Sequence, residues 1–295
     1  MTHQISADHL TIERIGEIIY NNYKIELSDD ARKRIIRSRE YLDARIAKEE
    51  NPIYGVTTGF GSLCSVSISK DQLSQLQVNL IKSHACGVGE RLPNDIIKMM
   101  ILLKVQSLSY GFSGCKLDTV ERLIDMFNND IFPIILEQGS LGASGDLVPL
   151  AHMSLPLVGL GEVDMNGEVL SGEEMNRRMN WKPIELASKE GLALLNGTQN
   201  MSAQAVWALL NAQRLSEWAD VIAAMSLDAF DGRIEPFTHA VHAVRPHQGQ
   251  IETAARFRQL LEGSELIARP KKHVQDPYSF RCVPQVHGTV KDTLR

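Results

Sequence analysis

The sequence predicts a mainly α-helical protein with one small β-hairpin, and three features of the chain carry that prediction. Apolar residues recur at helical spacing in several segments, among them residues 11–21 and 117–129. A longer apolar run, from about residue 198 to 229, has too few charges for a surface helix and is expected inside a helical bundle. The hairpin is predicted at residues 161–170, where Asn166-Gly167 is typical of a type I′ turn.

Further helices are predicted from capping residues and prolines, at about residues 28–48, 72–83, 93–110 and 147–155. Ser28 is the expected cap of the first of these helices, and Ser69 begins a capping box before the second. Pro93 suits the first turn of the third helix, and Pro156 interrupts the fourth.

Composition limits the classes of function. The chain has 295 residues, of which 43% are hydrophobic and 23% charged, as is typical of a soluble globular protein. A net charge of −5 argues against a nucleic-acid partner, and no apolar run approaches the length of a membrane span. No signal peptide is evident, and the four cysteines are scattered without metal-binding or disulfide spacing. We therefore expect a cytoplasmic protein with no nucleic-acid or membrane partner.

Residues 139–146 carry the most information about chemistry. If the backbone nitrogen of Gly145 attacks the carbonyl carbon of Ala143, the backbone of Ser144 completes a five-membered ring. Loss of one water at that carbonyl and of a second from the Ser144 side chain leaves an imidazolone with an exocyclic methylidene, a strong electrophile. The residue types suit this reaction, because Gly145 has no β-carbon to obstruct the approach and Ala143 is small.

The residues alone leave other interpretations of this segment open. A glycine-rich turn between a strand and a helix can cradle a phosphate, but no Lys followed by Ser or Thr comes after these glycines. The nucleophile elbow G-x-S-x-G fits only in part, because Asp146 stands at its last position. An ordinary glycine-rich turn is as well supported by the glycines as the cyclised one.

Four other segments combine small residues with polar side chains suited to a site. Singly, each has an ordinary structural interpretation, as a slack loop, a helix cap, a turn or an exposed loop. The candidate residues in these segments are Tyr54, His84, Asn196, and the group Gln275, Tyr278 and Arg281.

His239, His242 and His247 resemble metal-ligand spacing to a limited degree. Pro246 interrupts the segment, and no carboxylate stands at helical spacing to assist. We therefore predict no metal site and expect these histidines to be solvated or to lie at an interface.

Together, the five segments resemble the aromatic amino acid ammonia-lyase family. Residues 139–152 are similar to the family segment in which Ala-Ser-Gly cyclises to a methylidene-imidazolone, and residues 53–61 to the loop that closes over the active site. Residues 275–285 match the family pattern Gln-Asp-x-Tyr-Ser-x-Arg-x-x-Pro-Gln. His84 followed by Ala resembles the members that act on histidine, whereas a larger aliphatic residue there is typical of tyrosine lyases and Phe of phenylalanine lyases.

The resemblance implies an architecture like that of the fumarase and aspartase superfamily. An N-terminal domain at residues 1–196 would carry the active site, and residues 197–295 would begin a central helical bundle. The implied prosthetic group is a methylidene-imidazolone that forms from Ala143, Ser144 and Gly145, with no external cofactor. A homotetramer is expected for a full-length chain.

The resemblance also implies a reaction, the non-oxidative deamination of L-histidine to trans-urocanate and ammonia. Tyr54 is the first choice for the base that takes the β-proton, and Tyr278 is the second. The implied substrate-binding residues are His84, Asn196, Gln275 and Arg281. The alternatives are a tyrosine or phenylalanine ammonia-lyase, an aminomutase with the same prosthetic group, and an inactive truncated relative.

Family chains continue beyond the position of Arg295 into a long helical region that supplies further active-site residues. The resemblance therefore predicts that this chain is a fragment or a truncated form. In such a form, the helix at residues 198–229 lacks bundle partners and exposes apolar surface.

Overall fold

The computed structural model describes residues 1–48, 53, 55–58, 72–140 and 142–295. These residues form two compact units, Met1–Val206 and Trp207–Arg295. The division into domains at residues 1–196 and 197–295 stays a prediction.

The first unit is mainly helical, as predicted. Most of its helices begin and end close to the expected residues, but those at Gly172–Arg178 and Glu190–Leu195 were not predicted. The last helix continues into the second unit. The helices are α1 Ile12–Tyr20, α2 Asp29–Lys48, α3 Leu73–His84, α4 Asn94–Ser109, α5 Leu117–Asn128, α6 Leu147–Ser154, α7 Gly172–Arg178, α8 Glu190–Leu195 and α9 Gln199–Ala229. A 3₁₀ turn, Leu155–Val158, follows α6 at the proline that was predicted to interrupt it.

Local capping explains where several helices start. The hydroxyl of Thr11 accepts a hydrogen bond of 3.2 Å from the Arg14 amide at the start of α1. Ser28 does the same for the Ala31 amide at 3.2 Å, which confirms it as the cap of α2. The capping box that was predicted before α3 begins at Ser69, which lies outside the described residues.

The strands form three small sheets in the described part of the chain, where one hairpin was predicted. The hairpin itself is present, and Asn166 and Gly167 have φ values of 57° and 83°, as a type I′ turn requires. It is not isolated, because its first strand also pairs with an earlier one. The sheets are β1 Thr2–Ile5 with β2 Lys24–Leu27, β3 Val88–Arg91 with β5 Leu136–Gln138, and β4 Ile131–Pro133 with β6 Glu162–Met165 and β7 Glu168–Ser171.

Helix α4 is the centre of the first unit. Met99, Met100, Ile101 and Leu102 are consecutive and all fully buried, so every face of the helix is covered. Helices α1, α2 and α5 and strand β4 pack against it. Charged residues are rarely fully buried, yet α4 buries both Lys98 and Lys104.

A buried carboxylate fixes helix α8 in this unit. The side chain of Glu190 is fully buried and accepts hydrogen bonds from the Lys116 amide at 2.8 Å and the Thr119 hydroxyl at 2.7 Å. It also accepts from the Ala187 amide at 2.7 Å and from the Cys115 thiol at 3.2 Å. Burial, together with the adjacent Glu190 carboxylate, raises the pKa of Cys115 well above its usual value, so this thiol stays protonated.

The second unit has its own core. Phe237 and Phe257 stack with their ring centroids 4.7 Å apart, and Leu227 and Leu261 pack into the same cluster. Its further helices are α10 His239–Ala243, α11 Gln248–Leu260, α12 Glu265–Ala268, α13 Tyr278–Arg281 and α14 Val283–Leu294. Helices α11 and α14 are in close contact, because a Cβ at Gly249 would lie 2.1 Å from the Gly288 carbonyl oxygen.

The C-terminal part of α9 has two different faces. Asp220 is fully buried, with His287 Nδ1 at 2.8 Å and Lys291 Nζ at 2.7 Å from its carboxylate oxygens. Other positions expose large apolar side chains, among them Leu215, Trp218, Ile222 and Met225. The second face is therefore available to further helices.

His242 differs from the expectation for the histidine cluster. It is fully buried, with Nδ1 2.9 Å from the Gln250 amide nitrogen and Nε2 2.9 Å from the Pro236 carbonyl oxygen. The expectation of a solvated or interface residue was therefore wrong for His242, because α10 folds back onto α11 and covers it.

We expect replacement of Glu190 by Ala to lower the free energy of unfolding by about 3 kcal/mol or more, because several buried donors then lack an acceptor. Urea unfolding followed by circular dichroism measures this change. Glu185→Ala is the matched control, since that side chain is exposed in the same segment. Equal midpoints for the two variants would contradict the role assigned to the Glu190 carboxylate.

Candidate functional site

The tripeptide Ala143-Ser144-Gly145 lies in a tight turn before α6. The amide of Gly145 donates a hydrogen bond of 3.2 Å to the carbonyl oxygen of Gly142. Ala143 and Ser144 are exposed, and Gly145 has a φ of 85°, a conformation that favours glycine. The turn thus presents the backbone of all three residues, as the predicted cyclisation requires.

Gly197, which is distant in the sequence, packs directly against this turn. The amide of Asp146 donates to the carbonyl oxygen of Gly197 at 2.8 Å, and Gly145 and Gly197 form a parallel β-bridge. A Cβ at Gly145 would lie 2.2 Å from the Gly197 oxygen, which is closer than any real contact. Position 145 therefore requires glycine for packing as well as for its backbone conformation.

Asn196 contacts the tripeptide directly. It follows the last residue of α8 in an extended conformation, and its side-chain Nδ2 donates to the Ser144 carbonyl oxygen at 3.2 Å. The resemblance to the family implied that Asn196 contacts the substrate and the prosthetic ring. The structure brings it to the one carbonyl that would remain in the ring after cyclisation.

Asp146 is a functional candidate that the sequence analysis did not single out. Its side chain is 5% exposed, and Oδ2 accepts a hydrogen bond of 3.0 Å from the Met201 amide in the first turn of α9. A carboxylate at a helix N-terminus interacts favourably with the exposed amides there. Asp146 thus joins the tripeptide turn to the start of α9, and its place immediately after Gly145 was the available signal.

His84 ends α3, as expected. Its Nδ1 lies 2.8 Å from the Leu80 carbonyl oxygen and 3.1 Å from the Ser83 hydroxyl. A proton on Nδ1 satisfies the Leu80 carbonyl, which leaves Nε2 as the hydrogen-bond acceptor of the ring. The ring is half-buried, so this second nitrogen can be reached by a small molecule.

His152 ties the segment after His84 to the helix that follows the tripeptide. The amide of Gly87 donates to His152 Nε2 at 3.0 Å, and β3 pairs with β5 immediately beyond. Burial lowers the pKa of His152, which keeps its ring neutral at pH 7 and able to accept this hydrogen bond. The lone histidine in an otherwise apolar helix was the sequence signal for this residue, but its partner could not be deduced.

The remaining described candidates, Gln275, Tyr278 and Arg281, belong to the second unit. Gln275 and Arg281 line a cavity of about 450 Å³ together with Arg233 and Gln285. The guanidinium carbon of Arg281 lies 4.1 Å from the centroid of the Tyr278 ring. Its buried Nε has no hydrogen-bond partner in the described part of the chain.

The loop that carries Gln275 is held by its neighbour. Asp276 is 3% exposed and accepts a hydrogen bond of 2.6 Å from the Arg233 amide, while His273 Nε2 lies 2.5 Å from its other oxygen. This buried carboxylate fixes the backbone on both sides of Gln275.

Tyr54, the first choice for the base, lies outside the described residues. Nearby, the Thr58 hydroxyl accepts a hydrogen bond of 3.2 Å from the Gly55 amide. The role of Tyr54 stays a prediction.

Comparison with known proteins decides the family. The model of a family described as aromatic amino acid lyase matches residues 10–295. This chain belongs to the aromatic amino acid lyase family. The predicted membership is confirmed, and so is the mainly α fold of its superfamily.

Individual members of the aromatic amino acid lyase family agree with this assignment. Histidine ammonia-lyase of Caldanaerobacter subterraneus subsp. tengcongensis is 48% identical over 291 residues, which cover 98% of this chain and 57% of that protein. The crystal structure of histidine ammonia-lyase from Trypanosoma cruzi has a TM-score of 0.88 and 37% identity, over 100% of this chain and 54% of that one. Tyrosine aminomutase from Streptomyces globisporus has a TM-score of 0.91 and 31% identity, over 100% of this chain and 59% of that one.

The chain thus spans a little over half the length of these lyase-family proteins. Among the described residues, no helix is both long enough and apolar enough to cross a bilayer.

The turn fits the methylidene-imidazolone that this family implies. Gly145 has no Cβ, and its amide already points back along the chain towards Gly142. The exposure of Ala143 and Ser144 allows two waters to leave. Asn196 holds the carbonyl that the ring retains.

We expect Gly145→Ala to prevent maturation of the turn and to destabilise the protein by at least about 1 kcal/mol, because the new Cβ overlaps Gly197 and φ is positive. Intact mass reports the waters lost, and urea unfolding reports stability. Gly142→Ala is the matched control, since nothing lies within 4 Å of a Cβ built there. A Gly145→Ala chain that loses two waters would contradict the assignment.

Proposed function

We propose that this chain serves the non-oxidative deamination of L-histidine to trans-urocanate and ammonia, the first step of histidine degradation. The observation that carries the proposal is the exposed Ala143-Ser144-Gly145 turn with Asn196 bonded to its central carbonyl. Relatives named histidine ammonia-lyase, at 44–48% identity over almost the whole chain, support histidine as the substrate. His84 followed by Ala85 supports the same choice.

The reaction must remove an amino group and a β-proton that is not acidic. The methylidene-imidazolone formed from Ala143, Ser144 and Gly145 supplies an electrophile, which no standard side chain offers. No external cofactor is proposed. The protein's own residues bind the substrate, orient it and move the β-proton.

Binding is assigned to groups whose chemistry matches the substrate. The planar guanidinium of Arg281 pairs with both oxygens of the substrate carboxylate, and its position in the wall of the cavity supports this role. His84 orients the substrate imidazole through Nε2, because its Nδ1 is engaged with Leu80. Gln275, which lines the same cavity as Arg281, contacts the substrate, and Asn196 holds both substrate and ring.

Tyr54 is assigned as the base that takes the β-proton, with Tyr278 as the second choice. A tyrosine with an ordinary pKa near ~10 is a poor base at pH 7, so the site must lower the pKa of the one that acts. A cation such as Arg281 near the phenolate is one way to do so.

We also propose how the protein assembles and where it is located, from its exposed apolar surface and its free cysteines. The exposed apolar face of α9 supports a homotetramer in which further helices cover it. Cys86, Cys115 and Cys282 are free thiols among the described residues, which supports a reducing cytoplasm.

Intact mass and product formation test the proposal together. The matured protein should be two waters lighter than its translated sequence and should convert histidine to urocanate, detected by ultraviolet absorbance. Ser144→Ala should abolish activity and lose at most one water, because the hydroxyl that leaves is absent. Ser202→Ala, which removes a hydroxyl outside the tripeptide in the same unit, should behave as wild type.

Some results would favour other functions. Full activity of Ser144→Ala would overturn the proposed prosthetic group. Conversion of tyrosine or phenylalanine, but not histidine, to an unsaturated or β-amino acid would favour the other lyases or an aminomutase. A matured chain that converts none of them would indicate an inactive relative.

We expect Tyr54→Phe to lower kcat about 10²–10⁴-fold with unchanged circular dichroism, because general-base catalysis contributes that much. Tyr278→Phe is the comparison, and a smaller loss in kcat is expected for it. Wild-type turnover of Tyr54→Phe, with a large loss for Tyr278→Phe, would assign the base to Tyr278.

A further inference from the structure

Lys104 is a buried cation on the central helix α4. Only 1% of the residue is exposed, and its Nζ donates hydrogen bonds of 3.0 Å each to the carbonyl oxygens of Ala193 and Asn196. These carbonyls lie at the C-terminal end of α8, where a helix leaves acceptors unpaired. A cation at this end also interacts favourably with the helix dipole.

From this end of α8, contacts continue to the tripeptide. Lys104 fixes the main chain of Asn196, and the Asn196 side chain donates to the Ser144 carbonyl oxygen at 3.2 Å. The next residue, Gly197, accepts from the Asp146 amide at 2.8 Å. Asn196 and Gly197 therefore contact the turn on both sides, and the Lys104 ammonium group fixes the main chain of this segment.

A neutral donor could also bond to these two carbonyls, so the charge at this position suggests a role beyond stabilising α8. Within the described residues, no carboxylate forms an ion pair with Lys104, and its hydrogen bonds go to backbone carbonyls. Burial lowers the pKa of Lys104 to about 8, although the nearby Asp146 carboxylate acts in the opposite direction. The group is still charged at pH 7, and its desolvation is costly compared with that of a neutral donor.

We propose that Lys104 is a positioning residue for maturation of the tripeptide, holding Asn196 on the Ser144 carbonyl and placing positive charge behind that hydrogen bond. This inference rests on the proposed function. When Ser144 loses water, its α-proton leaves to solvent and the electron pair forms the Cα–Cβ double bond. The Cβ–O bond breaks, and the side-chain hydroxyl leaves with a proton from solvent as one water.

The positive charge of Lys104 can affect loss of water from Ser144 through the carbonyl of that residue. As the α-proton leaves, negative charge develops on the carbonyl oxygen next to that carbon. A donor already in place on this oxygen stabilises the developing charge, and a cation behind the donor adds to the effect. Lys104 acts through Asn196 and does not contact the reacting atoms.

The test compares Lys104→Gln with Lys98→Gln by intact mass during maturation at pH 7. Lys98 is the matched control, because it lies on the same helix, is 7% exposed and pairs with Asp130 at 2.6 Å, on another part of the unit. We expect loss of the second water to slow about tenfold or more in Lys104→Gln, since a charged hydrogen bond is replaced by a neutral one. Lys98→Gln should mature at the wild-type rate.

A double-mutant cycle separates positioning from a general loss of stability. In an Asn196→Ala background, Lys104→Gln should have little further effect on the maturation rate, because the donor that it positions is gone. Equal slowing in both backgrounds, equal slowing in the Lys98 control, or wild-type maturation of Lys104→Gln would each overturn the inference.

The pH dependence of maturation in the wild-type chain provides a further test, which does not depend on whether a variant folds. Among the described residues, the titratable groups that face Lys104 are Cys115 and Asp146, with Glu190 beside Cys115, and the Cys115 thiol stays neutral. Maturation should slow as the pH rises above 8, where the ammonium loses its charge. A rate that keeps rising above that pH would overturn the inference. A wild-type chain that never loses two waters refutes the proposed function and this inference with it.

Discussion

The close approach of the backbones at Gly145 and Gly197 is the contact on which the candidate site depends. The Asp146 amide donates to the Gly197 carbonyl at 2.8 Å, and a Cβ at Gly145 would overlap that oxygen. Because the two segments meet as a short parallel bridge, the residues beside the glycines are placed as well. Asn196 reaches the Ser144 carbonyl, and Asp146 reaches the start of α9.

Buried charged groups hold the elements around this contact. Glu190 joins the start of α5 to α8, and Lys104 joins α4 to the end of α8. In the second unit, Asp220 joins α9 to α14. A buried charge is tolerated only when its hydrogen bonds are satisfied, so each of these groups restricts the arrangement of the helices that it joins.

Local signals predicted α1 to α6 and α9, because capping and apolar spacing depend on residues that are close in the sequence. The short helices α7 and α8 and the helices α10 to α14 of the second unit were not predicted. Thr11 and Ser28 cap the helices that they precede, and Asn166-Gly167 forms the expected turn. The other small sheets were not predicted, since β1 with β2 and β3 with β5 pair across long stretches of chain. The burial of His242 was missed for the same reason.

By itself, the sequence determined the family, the mainly α fold and the Ala143-Ser144-Gly145 segment, because these follow from local residue types and their order. Tertiary structure alone decided which groups meet at the segment: Asn196 at the Ser144 carbonyl, Gly197 at Gly145 and Lys104 behind Asn196. The physical reason is that these hydrogen bonds join residues far apart in the chain. Their partners are set by the packing of whole helices around α4, which no local pattern encodes.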